Sequence, residues 1–188
     1  MSRLITLRTT TTSVGAVAYA AGDEVSNSAT AGSVVRATFT LTGFSRGLII
    51  AAAIDLTPAS SNAVTTAADF ELLLFKTANV PAAVGDNVTN PIAAADRALA
   101  IASFRFDDTG WTGPLGTVAA GTSQYQKVMP TVVQPLATNV LNAPHIGHPF
   151  EFKQGEAETL SVVLRALATW TPVNVVNTFG ITLDIDAG

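Results

Sequence analysis

The chain has no cysteine, and its 188 residues include two histidines. The absence of thiols excludes disulfides, thiolate metal sites and cysteine nucleophiles. Two histidines leave little material for acid–base chemistry or for a zinc site. We therefore expect no catalytic residue, no bound metal and no cofactor.

Charge is also scarce. Charged residues make up 13% of the chain, whereas soluble domains average about 25%. The net charge is −4 and the isoelectric point is about 5.0, so we expect neither a broad polyanion-binding surface nor a nucleic-acid partner. The hydrophobic content of 48% argues against disorder.

Long apolar runs are absent as well. The longest, residues 48–54, is far short of the roughly 20 residues that span a bilayer, and we expect no membrane partner. Arg3 and the small residues 18–20 imitate a signal peptide, but the Thr9–Thr12 run stands where an apolar segment is required. The sequence thus predicts a soluble protein made in a cytoplasm.

Catalytic signatures are missing too: the chain has no G-x-S-x-G, P-loop or G-x-G-x-x-G pattern. His145 to His148 spell a nucleotide-binding motif of aminoacyl-tRNA synthetases, but two prolines bracket the motif and no α/β alternation surrounds it. Asp107 and Asp108 are adjacent, so on a strand end they point apart and suit a turn cap better than a catalytic pair. The sequence predicts a protein that is not an enzyme.

The residues that are abundant favour β structure. There are 31 alanines and 25 threonines, and apolar residues recur with a period of two, as at 35–41 and at 179–185. Segments 71–75 and 160–168 are apolar on both faces, which predicts central strands or strands buried between subunits. The predicted strands are 3–9, 14–20, 35–42, 47–56, 69–76, 99–106, 125–132, 159–170 and 178–186.

Glycine and proline punctuate these strands throughout. Sandwich, jelly roll and closed barrel all fit the pattern. The long loops at 57–68, 77–91 and 134–150 favour a jelly roll, whose sheets are joined by crossovers. We therefore predict one all-β domain over residues 1–188, an antiparallel β-sandwich of jelly-roll type. Pro91 and the helix formers behind it predict one short helix within 92–99.

Residues 1–13 are predicted to form an N-terminal strand or an arm that reaches a neighbouring molecule. Leu4, Thr6 and Arg8 alternate with residues 5, 7 and 9, and no glycine or proline interrupts the run. Strands that are apolar on both faces, in a weakly charged chain, also predict an oligomer, most simply a homotrimer. The candidate capsid or subunit contacts are Arg3, Leu4, Ile5, Leu7, Arg8 and Trp111.

One region resembles small virion proteins of tailed phages. An apolar strand ending in Phe and a polar turn with Pro (70–81) is followed by a polar loop (85–91) and a short Ala- and Asp-containing helix (92–97). A second apolar strand (101–104) comes next, and residues 16–25 are similar to the Tyr, then Gly-Asp opening of that family. The resemblance spans about residues 14–106. It implies a head decoration (cement) or accessory capsid protein, a trimer on the capsid surface that binds the major capsid protein.

Two other functions fit the sequence. One is a different virion β-protein, from the tail, fibre or collar. The other is a carbohydrate-binding module, in which Trp111, Trp170, Tyr19 and Tyr125 would form a sugar-stacking platform.

Overall fold

In the computed structural model, the described residues are 3–14, 18–58, 63–64, 69–111, 116–117, 124–130, 147–172 and 176–187. The single α-helix in these ranges, α1, spans Ala94–Arg97, and short 3-10 turns occupy Ala31–Ser33 and Thr77–Asn79. The strands are β1 Arg3–Ser13, β2 Asp23–Glu24, β3 Thr38–Thr40, β4 Arg46–Pro58, β5 Ala63–Val64, β6 Phe70–Lys76, β7 Val88–Thr89, β8 Ala102–Phe106, β9 Gly116–Thr117, β10 Gln124–Val128, β11 His148–Glu151, β12 Thr159–Ala166 and β13 Asn177–Ala187.

The strands form two main antiparallel sheets. The first sheet has the order β1-β13-β4-β10, and β11 also pairs with β4; the second has the order β7-β2-β12-β6-β8, and β3 also pairs with β12. The chain crosses repeatedly from one sheet to the other, and its first strand lies beside its last. This order is that of an eight-stranded jelly roll, with β2 and β3 sharing one strand position and β10 and β11 another. The predicted fold class is confirmed.

The core lies between the two inner faces and is richest in aromatic rings at one end. Phe70 on β6 is the centre of this cluster. Its ring lies 5.2 Å from that of Trp170 and 5.4 Å from that of Phe179, both nearly edge-on. Edge-to-face pairs are worth about 0.5–1.5 kcal/mol each beyond the buried area, so this cluster fixes the separation of the sheets at that end.

The outer face of the second sheet is also buried, by the chain itself. Leu73 and Phe75 of β6 and Val163 of β12 pack against Ile92 from the β6–β8 connection, residues 77–101. This covering segment explains why β6 and β12 are apolar on both faces. The prediction that they are central strands is confirmed, and no second subunit is needed to bury them.

Several predicted boundaries are corrected. Segment 14–20 is not a strand in its described residues, because the Val14 amide donates to the Asp86 carboxylate and Tyr19 forms only an isolated bridge with Trp170. The strand predicted at 35–42 is reduced to β3: the Val35 amide donates to the Asn27 side chain, and Val35 is 71% exposed instead of buried.

Other differences concern strand and helix ends. β1 extends through the threonine run to Ser13, and β8 and β12 are shorter than predicted. β11 contains Pro149, which had indicated a loop but is tolerated because β11 lies at a sheet edge. The helix is present but is limited to Ala94–Arg97. Residues 131–132 of the predicted strand 125–132, and most of loop 134–150, lie outside the described ranges.

Candidate interaction surface

The N-terminal strand β1 forms one edge of the first sheet. It pairs with β13 along its whole length, from Arg3 opposite Ala187 to Ser13 opposite Asn177, without a shift of register. The segment predicted as a strand or arm is therefore a strand of the chain's own sheet.

The predicted alternation along β1 is confirmed. Leu4 is 66% exposed and Arg8 is exposed on the outer face, whereas Ile5 and Leu7 point inward and are half-buried, Leu7 against the main core. Arg3 is exposed, with its guanidinium 5.9 Å from the centre of the Phe44 ring. Five of the six candidate contact residues thus lie together at this edge.

The outer face of the first sheet carries two ion pairs. The Arg8 guanidinium lies 3.1 Å from the Asp55 carboxylate across Gly180, and a β-carbon at residue 180 would come within 2.9 Å of the Arg8 Nη2. Asp184 pairs with Lys127 and accepts a 2.8 Å hydrogen bond from the Thr6 hydroxyl. Burial alone would raise the pKa of Asp184, but these two donors outweigh burial and lower it. The face therefore presents threonine and alanine between mutually satisfied charges.

A buried ionic layer holds the covering segment onto the second sheet. Glu71 of β6 is 8% exposed and accepts hydrogen bonds of 2.5 and 3.0 Å from the Arg97 guanidinium of α1. It also pairs with Arg165 of β12, which is equally buried and donates to the Asn90 carbonyl at 3.0 Å. Burial would raise the pKa of Glu71, but the two arginines lower it below its usual range. One carboxylate thus joins two strands and the segment outside them.

A second carboxylate extends this layer. Glu24 of β2 is almost fully buried and forms two 2.9 Å hydrogen bonds with Arg36. The Asn90 side-chain amide donates to the same carboxylate at 2.5 Å, and Arg36 also donates to the Pro81 carbonyl. The covering segment is therefore fixed at three points, Pro81, Asn90 and Arg97, by charged groups of the sheet and its flanking loop.

Asp86 attaches the covering segment to the N-terminal part of the chain. Its buried carboxylate accepts hydrogen bonds from the Tyr19 hydroxyl at 2.7 Å, the Ser26 amide at 2.8 Å and the Val14 amide at 2.9 Å. Burial and the Asp86 hydrogen bond raise the pKa of Tyr19 far above its usual value, so the phenol stays protonated. The group is a fully bonded structural anchor.

The aromatic residues predicted as contacts or as a sugar platform are mostly internal. Trp111 is 9% exposed and packs at 6.1 Å against Phe70, so its ring belongs to the core and not to an exposed contact surface. Tyr19 and Trp170 are buried in the same cluster, with ring centres 5.1 Å apart. Tyr125 is 39% exposed on β10 and lies away from that cluster.

The other motifs weighed in the sequence have structural surroundings. Asp107 caps a turn by accepting from the Thr109 hydroxyl at 2.6 Å and the Thr109 amide at 3.0 Å, and the hydroxyl is the larger cause of its lowered pKa. His148 is half-buried on β11, and His145 lies outside the described residues. In the ranges that the structure describes, no three acidic or histidine side chains form a group that could hold a metal ion. No helix in those ranges is long and apolar enough to cross a membrane.

Sequence reasoning missed the ionic layer, although a signal was present. Glu71 and Arg165 are the charged residues of the segments 71–75 and 160–168, which were expected to be buried on both faces. A buried charge requires a partner, so the two residues together could have predicted an ion pair between β6 and β12.

Comparison with known proteins adds little. No protein-family model matches the chain, and no curated protein does. Among solved structures, the chain is similar at 10% identity to a chain from "Structure of Turnip Yellow Mosaic Virus at 100 K", with 98% of this chain and 94% of that chain covered and a TM-score of 0.23. A score this low supports no argument, and the jelly-roll order rests on the strand pairings alone.

Proposed function

We propose that this chain is a structural protein of a virus particle, and specifically a decoration protein that binds the major capsid protein on the head of a tailed phage. Its proposed role is binding, without catalysis. It would be made in the host cytoplasm and located on the capsid surface. A protein that binds only the assembled shell stabilises that shell by mass action.

The proposal rests on the outer face of the first sheet. This face carries the ion pairs Arg8–Asp55 and Lys127–Asp184, and it exposes Leu4 and Arg8 of β1. Protein interfaces are depleted in unpaired charge and enriched in arginine, so this outer face suits contact with another protein surface.

The resemblance to phage virion proteins supports the same function. Its motifs fall on β6, α1, β8 and the covering segment, where they build the second sheet and the layer outside it. They are therefore structural motifs, as expected for a protein whose task is to present surfaces.

The proposal is tested by cosedimentation with tailed-phage heads assembled from a major capsid protein encoded in the same genome as this chain. We expect the wild-type chain to sediment with the heads and Leu4→Glu to bind at least about tenfold more weakly, since it places a charge in the contact. Leu99→Glu is the matched control, because Leu99 is a similarly exposed leucine, 50% against 66%, on the covering segment of the other sheet. Absence of binding by the wild-type chain, or equal binding by both variants, would refute the proposal.

Two expectations from the sequence, carbohydrate binding and a homotrimer, are not supported by this fold. The carbohydrate-binding alternative required an exposed aromatic platform, and three of its four residues are buried, so we do not develop it. The homotrimer was inferred from strands that the covering segment buries within one chain, so it has lost that basis and stays a prediction for light scattering to decide.

A further inference from the structure

The edges of the two sheets differ in how they are protected. An unpaired strand edge is a template for another strand, and proteins usually blunt it with short strands, lysine, proline or a bulge. At the far edge of the first sheet, β10 has five residues with Lys127, and β11 has four with Pro149. In the second sheet, β7 has two residues and β8 has five with the exposed Arg105.

β1 has two exposed arginines, Arg3 and Arg8, but it lacks the other protections. It is 11 residues long, contains no lysine, proline or glycine, and pairs with β13 without a bulge. In the part of the chain that the structure describes, no strand pairs with its other edge. Its inward residues Ile5 and Leu7 remain half-buried because the sheet ends beside them.

We propose that β1 pairs with β1 of a second copy of this chain, antiparallel about a two-fold axis, so that the two first sheets become one continuous sheet. A strand edge is complementary to itself under such an axis, because each copy supplies the donors and acceptors that the other lacks. The proposal requires only this chain and does not depend on the proposed function.

The sequence of β1 fits this pairing. Residues that face each other across antiparallel strands share a face of the sheet, so inward residues must meet inward residues. With the axis at Leu7, that residue meets its own copy, Ile5 meets Thr9, and Arg8 meets Thr6. No like charges are then opposed, and the half-buried apolar residues of both copies are covered. An axis at Arg8 would oppose two arginines and is excluded.

The first test is the mass in solution of the full chain, measured by light scattering from micromolar to near-millimolar concentration. We expect a dimer of twice the 19.4 kDa chain mass. The variant Thr6→Lys with Thr10→Lys adds charge at two exposed outer positions of β1. It should weaken dimerisation about tenfold or more, because the added charge at position 6 would face the partner's Arg8 and the symmetry repeats this repulsion. The control Ala93→Lys with Ala95→Lys makes the same change of charge at exposed positions of the covering segment and should leave the dimer intact.

A second measurement tests the direction of pairing. Since the chain has no cysteine, single cysteines at positions 4, 6, 10 and 12 can each carry one spin label. In an antiparallel pair centred on Leu7, the distance between the two labels should be shortest for position 6, longer for 4 and 10, and longest for 12. A monomer at all concentrations, a trimer unaffected by the β1 variant, equal weakening by the control, or label distances that do not depend on position would each overturn the proposal.

Discussion

Removing the charge of Glu71 should destabilise the protein more than any other single change of charge in its ionic layer. The substitution Glu71→Gln preserves shape but leaves Arg97 and Arg165 facing an amide. In the wild-type protein both arginines donate hydrogen bonds to the Glu71 carboxylate. Glu71 and Arg165 are each 8% exposed, so water cannot easily replace the carboxylate as the partner of the arginines. Breaking a buried ion pair from one side costs about 3–5 kcal/mol, because an uncompensated charge remains inside.

This loss is large against the whole stability of a domain, which is about 5–15 kcal/mol. Urea unfolding measures it, with the fluorescence of the buried Trp111 and Trp170 as the probe. With a slope of about 2–3 kcal/mol per molar urea, the midpoint should fall by about 1–2.5 M.

Two further variants make the measurement specific. Glu156→Gln removes a carboxylate that pairs with Lys76 at 2.6 Å on the surface, and it should not shift the midpoint measurably. The double variant Glu71→Leu with Arg165→Leu removes the buried pair between β6 and β12, and apolar residues often replace such a pair at little cost. It leaves Arg97 without its carboxylate, so it should recover only part of the loss. A midpoint for Glu71→Gln that equals that of Glu156→Gln would refute the reasoning.

Three other predictions concern pH, the core and the backbone. Because the fold lowers the pKa of Glu71 from 4.5, the ionised carboxylate contributes its full stabilisation above that pH and loses it as the pH falls through the folded pKa. In urea titrations from neutral to acidic pH, the difference in unfolding free energy between wild type and Glu71→Gln should therefore shrink below about pH 4.5. Phe70→Ala should cost about 3–5 kcal/mol in urea unfolding, since it empties the centre of the aromatic cluster, and a cost below about 1 kcal/mol would contradict that packing. Gly85→Ala should lower the melting temperature sharply, because a β-carbon there would lie 2.2 Å from the Ala29 carbonyl oxygen. Gly32→Ala is the control and should leave the melting temperature nearly unchanged, because a β-carbon at residue 32 would have no atom within 4 Å.

The sheet pattern could be predicted because burial has a simple period. Phe179, Ile181, Leu183 and Ile185 are all buried in β13, as their alternation with polar residues indicates. The same rule failed at Val35, because a side chain, Asn27, takes the backbone amide that a ladder would need. The alternation of apolar and polar residues indicates which face of a strand is apolar. It does not indicate which side chain elsewhere in the chain will form a hydrogen bond with a backbone amide of that strand.

The position of the covering segment could not be predicted in the same way. Its loop had strong turn signals, but its attachment depends on contacts distant in sequence, such as Arg97 with Glu71 and Asn90 with Glu24. The sequence predicted that segments 71–75 and 160–168 are apolar on both faces. It left open whether they are central strands of one sandwich or strands buried between two subunits. Among the predicted contact residues, those at the N-terminus lie at an exposed sheet edge in the structure. Trp111 lies in the core, where its ring packs against Phe70 and Phe106.

The position of β13 between β1 and β4 has a consequence for how the protein is made. β1 and β4 leave the ribosome early, but they do not pair with each other, and their common neighbour begins at residue 177. At about 5–20 residues per second, synthesis from the end of β1 to the start of β13 takes on the order of ten seconds or more, and β1 lacks its partner strand for that time. Loss of β13 would therefore separate two strands at once, and the first sheet cannot be completed before residues 177–187 have left the ribosome.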